Sequence, residues 1–167
     1  YEDVLQALST AGPGVFNDLA WQMYEMLLAP GSDALYDLKL AYLGQIGHLL
    51  AAGRWSEAPY AGADCSQDLD WDGLPECTLS SEYSFAVFES EGGGVTVAAA
   101  RTEAGVIQIL APIYQFSVGL SDPSTWDLSR GIAGDPAQLF AFTEAPTRWT
   151  RFEAQAEGDR IAFSLDG

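Results

Sequence analysis

Basic residues are scarce in this chain of 167 residues: 7 lysines and arginines oppose 24 aspartates and glutamates, a formal net charge of -17. A surface this acidic repels phosphate backbones and anionic lipid headgroups, so we expect no nucleic-acid binding. No run of about 18 apolar residues occurs, so we expect no membrane insertion. Histidine occurs once, as His48, which argues against a His-rich metal site, a catalytic triad or a histidine relay.

What the chain does contain is enough apolar sequence for a folded core. Hydrophobic residues make up 48% and aromatic residues 12%, which excludes a disordered acidic tail. The length fits one domain, or one domain with a small appendage. The first residue is Tyr1 and the last pair is Asp166-Gly167. We interpret the chain as a piece of a longer protein, cut at both ends.

The first third has a helical hydrophobic period. Three helices are predicted, over residues 2–9, over residues 15–28, and from a cap at Ser32 to a stop at Gly53. The stripes that predict the longer two contain Phe16, Leu19, Met23 and Leu27, and then Leu35, Leu38, Tyr42, Ile46 and Leu49. His48 lies beside Leu49, and we interpret it as a helix-packing or capping residue.

The rest of the chain shows short alternating runs typical of β-strands. The runs lie at residues 83–88, 95–97, 106–110, 113–118, 139–142, 149–156 and 160–165, with a long loop over 121–136. Turn residues at 91–94, 103–105 and 157–159 predict hairpins. The predicted fold class is α+β: an N-terminal helical hairpin (residues 1–60), then an antiparallel β-sandwich (residues 61–167), incomplete if the chain is cut.

One acidic segment has the pattern of a calcium loop. Residues 68–76 read D-x-D-x-D-G-x-x-E, and alternate carboxylates converge on one point if the backbone wraps around it. The predicted ligands are Asp68, Asp70, Asp72, the carbonyl of Leu74 and, with two oxygens, Glu76. Such a density of hard oxygen ligands suits Ca²⁺. Position twelve, where an EF-hand has glutamate, is Leu79, so the pattern indicates the shorter calcium loop of a β-hairpin.

Two alternatives stay open for this segment. The acids could form an ordinary solvated turn, although four unpaired carboxylates within nine residues would repel one another. Cys65 and Cys77 are the only cysteines and flank the segment; they could be free buried thiols or a disulfide. The disulfide would stabilise the chain by roughly 3 kcal/mol and would indicate an exported protein, extracellular or on the cell surface. No nucleophile or base lies beside the loop, which favours a structural ion.

Aromatic and acidic residues elsewhere have mainly structural interpretations. Most of the five tryptophans are expected in the core. Trp71, inside the acidic loop, and Trp126, inside the long loop, are the candidates for stacking on a sugar. Acid pairs such as Glu89 and Glu91 could imitate a glycosidase pair, but such pairs are expected by chance in so acidic a chain.

Several segments together resemble the region that follows the catalytic barrel in bacterial glycoside hydrolases similar to family 57. The resemblance covers roughly residues 15–118 and is most specific at the acidic loop and the strand after it. It is carried by Asp18-Leu19-Ala20-Trp21, a helix ending Ala51-Ala52-Gly53-Arg54-Trp55, the acidic loop, and Tyr83-Ser84-Phe85-Ala86-Val87-Phe88-Glu89 with its Gly-rich turn.

This resemblance implies a non-catalytic accessory domain of a secreted, polysaccharide-active glycoside hydrolase. The partner would be the upstream catalytic domain of the same parent chain, contacted through the helical hairpin. The family's catalytic carboxylates lie in that barrel, so no catalytic residue is assigned here. The alternatives are a carbohydrate-binding module that contacts polysaccharide through Trp71 or Trp126, and a cell-surface interaction module without a sugar ligand.

Overall fold

The computed structural model describes residues 2–28, 36–89, 94–110 and 152–165. Over these residues the α+β class is confirmed, with helices first and antiparallel strands after them. The helices are α1 (Glu2–Thr10), α2 (Val15–Leu28) and α3 (Tyr36–Glu57). The strands are β1 (Gly62–Gln67), β2 (Glu76–Ser80), β3 (Ser84–Phe88), β4 (Val95–Thr102), β5 (Gly105–Leu110), β6 (Phe152–Glu157) and β7 (Arg160–Leu165).

Each of the first two helices buries an apolar stripe, and in α2 it matches the predicted stripe only in part: Phe16 and Leu27 are buried, whereas Leu19 and Met23 are partly buried. In α1, Val4 and Leu8 are one turn apart and buried, while Glu2 and Asp3 occupy the first turn, where the helix dipole favours negative charge. In α2 the buried stripe consists of Phe16, Ala20, Tyr24 and Leu27, together with the polar Asn17. Among the helices the structure describes, none is long and apolar enough to span a membrane.

Strands β1 to β5 form one antiparallel sheet in chain order, and β6 pairs with β7 in a separate hairpin that contacts β1 and β2. Phe85 and Val87 of β3 pair with Ala99 and Val97 of β4. All four are buried in the core that the sheet shares with the helices. The opposite face of β3 meets the hairpin, where the rings of Phe88 and Phe163 are 6.0 Å apart.

Two predicted hairpin turns are present. Thr102 pairs with Gly105, whose φ is 123°, and Glu157 pairs with Arg160 across Gly158, whose φ is 67°. Strand β1 was not predicted, because its sequence, GADCSQ, has neither an apolar alternation nor β-branched residues. The predicted strands at 113–118 and 139–142, the loop at 121–136 and Trp126 lie outside the described residues, as does most of the predicted turn at 91–94.

The predicted stop of the third helix at Gly53 is wrong, because α3 continues to Glu57. Glycine at position 53 is explained by the close approach of α2, since a Cβ there would lie 2.3 Å from Oδ1 of Asn17. The extra turn is held from the sheet side by Trp55. Its Nε1 donates to the Ser81 carbonyl at 2.8 Å, and its ring stacks on Phe85 with centroids 5.8 Å apart.

A second glycine of α3 brings the helix against the loop between β1 and β2. A Cβ at Gly47 would lie 1.6 Å from the carbonyl oxygen of Leu69 and 3.3 Å from the Trp71 ring. Leu69 itself is buried in the core. Helix and loop backbone are therefore in direct contact, and only glycine fits between them.

Gly47→Ala is expected to destabilise the protein. Alanine normally favours a helix over glycine by about 1 kcal/mol, but here its methyl group must displace the loop backbone, and overpacking of this kind costs about 1–3 kcal/mol. Thermal unfolding followed by circular dichroism measures the change. Gly14→Ala is the control, because a Cβ there meets only Asn17 Nδ2, at 3.9 Å. A Gly47→Ala variant as stable as the parent would contradict the contact.

Candidate metal centre

The acidic segment forms the connection between β1 and β2, and a disulfide crosses its base. Cys65 in β1 and Cys77 in β2 are bonded, with their Cα atoms 4.0 Å apart. The strand register shifts between Asp64 and Gln67, where the Asp64 carboxylate accepts hydrogen bonds from the Ser66 amide at 2.9 Å and from Gln67 Nε2 at 2.6 Å. The disulfide alternative is therefore confirmed. It closes the loop at the point where the sheet opens.

Inside the loop, each aspartate of the motif accepts a hydrogen bond from the backbone ahead of it. Asp68 Oδ2 accepts from the Gly73 amide at 3.1 Å, Asp70 Oδ1 from the Asp72 amide at 3.0 Å, and Asp72 Oδ1 from the Leu74 amide at 2.7 Å. Gly73 has φ 93° and thus provides the sharp turn that the motif requires. The backbone therefore wraps around its own carboxylates.

The wrap brings three of the predicted ligands together. One carboxylate oxygen from each of Asp68, Asp70 and Glu76 lies within 4.8 Å of the others. Asp72 is not part of this group and is exposed. We call Asp68, Asp70 and Glu76 the loop cluster. It can supply hard oxygen ligands from both the exposed and the buried side of the loop.

Glu76 is the innermost member of the loop cluster, at 1% exposure. Its Oε2 accepts hydrogen bonds from the backbone amides of Leu69 and Asp70. Its Oε1 is buried and has no hydrogen-bond partner. The sequence predicts that both oxygens bind the ion. In the structure Oε2 accepts hydrogen bonds from the loop backbone, whereas Oε1 has no hydrogen-bond partner.

Burial and mutual repulsion make the ionised loop cluster unfavourable without a cation. Burial and the carboxylates of Asp72 and Asp68 raise the pKa of Asp70 to about 7. Burial and the carboxylate of Asp70 raise the pKa of Glu76 to about 8. Two charges separated by at most 4.8 Å repel each other by at least about 3.5 kcal/mol at an effective dielectric constant of about 20. A divalent cation bound between the carboxylates would replace this repulsion with attraction.

A second group of ligand atoms adjoins the loop cluster and shares Asp70 with it. His48 of α3, Asp70 and Glu89, which follows β3, each place one ligand atom within 4.8 Å of the others. Nε2 of His48 is 3.4 Å from Oε1 of Glu89. His48 is 1% exposed, and burial lowers the pKa of its imidazole to about 3, so the ring is neutral.

Sequence reasoning did not bring these three residues together. The available signal was the alternation of β3: Phe85 and Val87 face α3, so Glu89 falls on the same face. His48 is buried, as a packing residue would be, but its neighbours include two carboxylates. The two carboxylates lie beside His48 because the loop contacts the helix, and the spacing of residues in the sequence does not reveal this contact.

Trp71 lies beside the loop cluster in a left-handed conformation, with φ 63°. Its side chain is 38% exposed, and its ring edge is close to Gly47 of α3. One edge of the ring is therefore against the helix, and the remainder is accessible to solvent. Sugar stacking at Trp71 stays a prediction, as it does at Trp126.

Comparison with known proteins gives no relative from which to infer a function: no family model, no curated protein and no solved structure matches the chain. Function is therefore inferred from the geometry of the loop cluster and its neighbours.

The raised pKa values predict an unusual pH dependence for the cation-free protein. Unfolded carboxyl groups titrate near pH 4, whereas Asp70 and Glu76 titrate near 7 and 8 in the fold. Between about pH 4 and 8 the folded state thus holds more protons, and its stability falls as the pH rises. Melting temperatures of exhaustively dialysed protein at pH 5 and pH 8 measure this fall.

Asp70→Asn should make this fall smaller, because the amide cannot ionise. Glu103→Gln removes one negative charge from the exposed β4–β5 turn and controls for the general effect of net charge. An equally steep fall of the melting temperature with pH in Asp70→Asn and Glu103→Gln would contradict the raised pKa of Asp70.

Proposed function

We propose that the chain is a non-catalytic, calcium-stabilised module of an exported protein. Ca²⁺ binds the loop cluster and holds the β1–β2 loop against α3. The observation that carries the proposal is Glu76, which lies in a group with Asp68 and Asp70 and whose buried Oε1 has no hydrogen-bond partner. A buried carboxylate oxygen without a partner is costly, and a cation supplies the missing interaction.

The chemistry of the loop supports Ca²⁺ over other cations. Its three side-chain ligands are carboxylates, and Ca²⁺ prefers such oxygen ligands in a flexible geometry with water completing the shell. Asp68 is exposed and Glu76 is buried, so the cluster opens to solvent on one side. Asp72 and the carbonyl of Leu74 are near in sequence and remain candidate ligands through small loop adjustments or bridging water.

Export is supported by the disulfide between Cys65 and Cys77, since such bonds persist in oxidising compartments. A role beside a larger domain is supported by apolar side chains on the surface of α2. Trp21 and Leu28 are seven residues apart, on one face, and are 36% and 61% exposed. Together with the resemblance noted above, this favours an accessory domain of a polysaccharide-active glycoside hydrolase, contacting the catalytic domain through its helices.

The proposed absence of catalysis is supported by the positions of the acids whose pKa is raised. A glycosidase needs a carboxylic acid with a raised pKa at a cleft that a sugar can enter. Asp70 and Glu76 are acids with a raised pKa. Both belong to the loop cluster, and Glu76 is inaccessible. These acids are placed to bind an ion rather than to protonate a glycosidic oxygen.

A carbohydrate-binding module is the second candidate, on one observation. Trp71 exposes part of its ring at the loop, and tryptophan rings stack on sugars. If the chain is an accessory domain, the protein should not be retarded in affinity electrophoresis through gels containing α-glucan or β-glucan. Retardation that disappears in Trp71→Ala would favour the second candidate.

Calcium added to the chelated protein should raise its melting temperature. At a concentration about 100 times the dissociation constant, binding contributes about 2.7 kcal/mol, which is about 5–10 °C for a chain of this size. Differential scanning calorimetry measures the shift. Asp68→Asn should lose most of it, while Glu103→Gln should keep it. No shift at millimolar calcium would refute the calcium site.

The chain should hydrolyse neither α-glucan, β-glucan nor aryl glycosides. Reducing-sugar and chromogenic assays on repurified protein test this. Turnover that is abolished by replacing one acid outside the loop with alanine would show that the chain is an enzyme in its own right.

A further inference from the structure

We propose that His48, Asp70 and Glu89 form a second metal site, for a borderline divalent transition metal of the Zn²⁺ class. This site goes beyond the calcium loop, because it has a nitrogen ligand and shares only Asp70 with the loop cluster. Zn²⁺ binds imidazole nitrogen together with carboxylate oxygen, whereas the loop cluster offers oxygen alone.

Three separate elements deliver the three ligands. His48 comes from the middle of α3, Asp70 from the β1–β2 loop, and Glu89 from the residue after β3. Glu89 is fixed by its backbone, since its amide donates to the Gly94 carbonyl at 2.9 Å. His48 is held in place by burial, at 1% exposure. A metal bound here would join the helix, the loop and the sheet at one point.

The distance between His48 and Glu89 fits a shared metal. Two ligands on a tetrahedral zinc ion, with bonds of about 2.0–2.1 Å, lie about 3.3 Å apart. Nε2 of His48 and Oε1 of Glu89 are 3.4 Å apart. The same Nε2 is buried and makes no hydrogen bond, so the contact with Glu89 lacks hydrogen-bond geometry. A lone pair on Nε2 that points at a metal accounts for both the 3.4 Å distance to Glu89 and the missing hydrogen bond.

The opposite ring nitrogen, Nδ1, lies 3.5 Å from Nε2 of the Gln45 side chain, which is itself buried. The proposed metal site requires this amide to be rotated by 180°, so that its oxygen accepts a hydrogen bond from Nδ1–H and Nε2 of His48 carries the lone pair. Such a partner for the second nitrogen is usual at metal sites and fixes the tautomer.

Asp70 reaches this site because α3 has a glycine one turn before His48. A Cβ at Gly44 would lie 3.2 Å from Cβ and 3.3 Å from Oδ2 of Asp70. Oδ1 of Asp70, in contrast, accepts the Asp72 amide within the loop. The carboxylate therefore presents one oxygen to the loop and the other to the helix, an arrangement that lets it bridge two cations.

The single histidine makes the test direct on the unmodified protein. With the loop saturated by excess Ca²⁺, Zn²⁺ is titrated while the imidazole resonances of His48 are recorded by NMR. We expect them to change with the addition of one equivalent of Zn²⁺. Imidazole resonances that do not move in a tenfold excess of Zn²⁺ would overturn the proposal.

Variants separate the second site from the loop cluster. In calcium-saturated protein, His48→Gln and Glu89→Gln should weaken Zn²⁺ binding, measured by calorimetry, by more than the 10–100-fold typical of losing an outer-shell partner. Both should retain the calcium-induced rise in melting temperature. Asp68→Asn should show the reverse: a weakened calcium response with Zn²⁺ binding retained.

Two results would contradict this separation. Unchanged Zn²⁺ affinity in a folded His48→Gln variant would exclude imidazole ligation. Loss of Zn²⁺ binding in Asp68→Asn would show that Zn²⁺ enters only the loop cluster. A failed calcium response in the parent protein, with His48 still shifted by Zn²⁺, would refute the calcium proposal and leave the second site standing.

Discussion

The direct contact between α3 and the β1–β2 loop determines the arrangement around it. Gly47 leaves room for the Leu69 carbonyl, and Gly44 leaves room for Asp70. Because the loop backbone reaches the helix, Asp70 and Glu76 become partly or fully buried, and His48 becomes a neighbour of two carboxylates. A bulkier side chain at position 47 would move the loop outward. The carboxylates would then be solvated, as in an ordinary acidic turn.

Burial also explains why a cation is the natural completion of the loop. The chain already has a formal net charge of -17, and further buried negative charge is unfavourable. The disulfide between Cys65 and Cys77 holds the base of the loop and so restricts its opening, but it cannot neutralise the carboxylates. The disulfide thus reduces the conformational entropy of the loop, whereas a bound cation reduces the repulsion between its carboxylates.

The sequence was most informative where function depends on local spacing. The D-x-D-x-D-G pattern predicted a wrapped loop, and the hydrophobic periods predicted the helices and several strands. It was least informative where a residue acts across the fold. Gly53 has the features of a helix stop but accommodates Asn17, and Glu89 was one acid among many until β3 placed it beside His48. The spacing of residues in a single sequence does not reveal such contacts.

The loop cluster can be tested most directly with terbium, a luminescent trivalent ion that substitutes for Ca²⁺ at oxygen sites. Trp71 follows Asp70 directly in the loop, and we therefore expect it to sensitise a bound ion. Excitation of tryptophan should produce terbium emission that saturates, is displaced by Ca²⁺, and drops sharply in Trp71→Phe and Asp68→Asn. Emission that never rises above that of free terbium, or that Ca²⁺ does not displace, would contradict the cation-binding loop on which the proposed function depends.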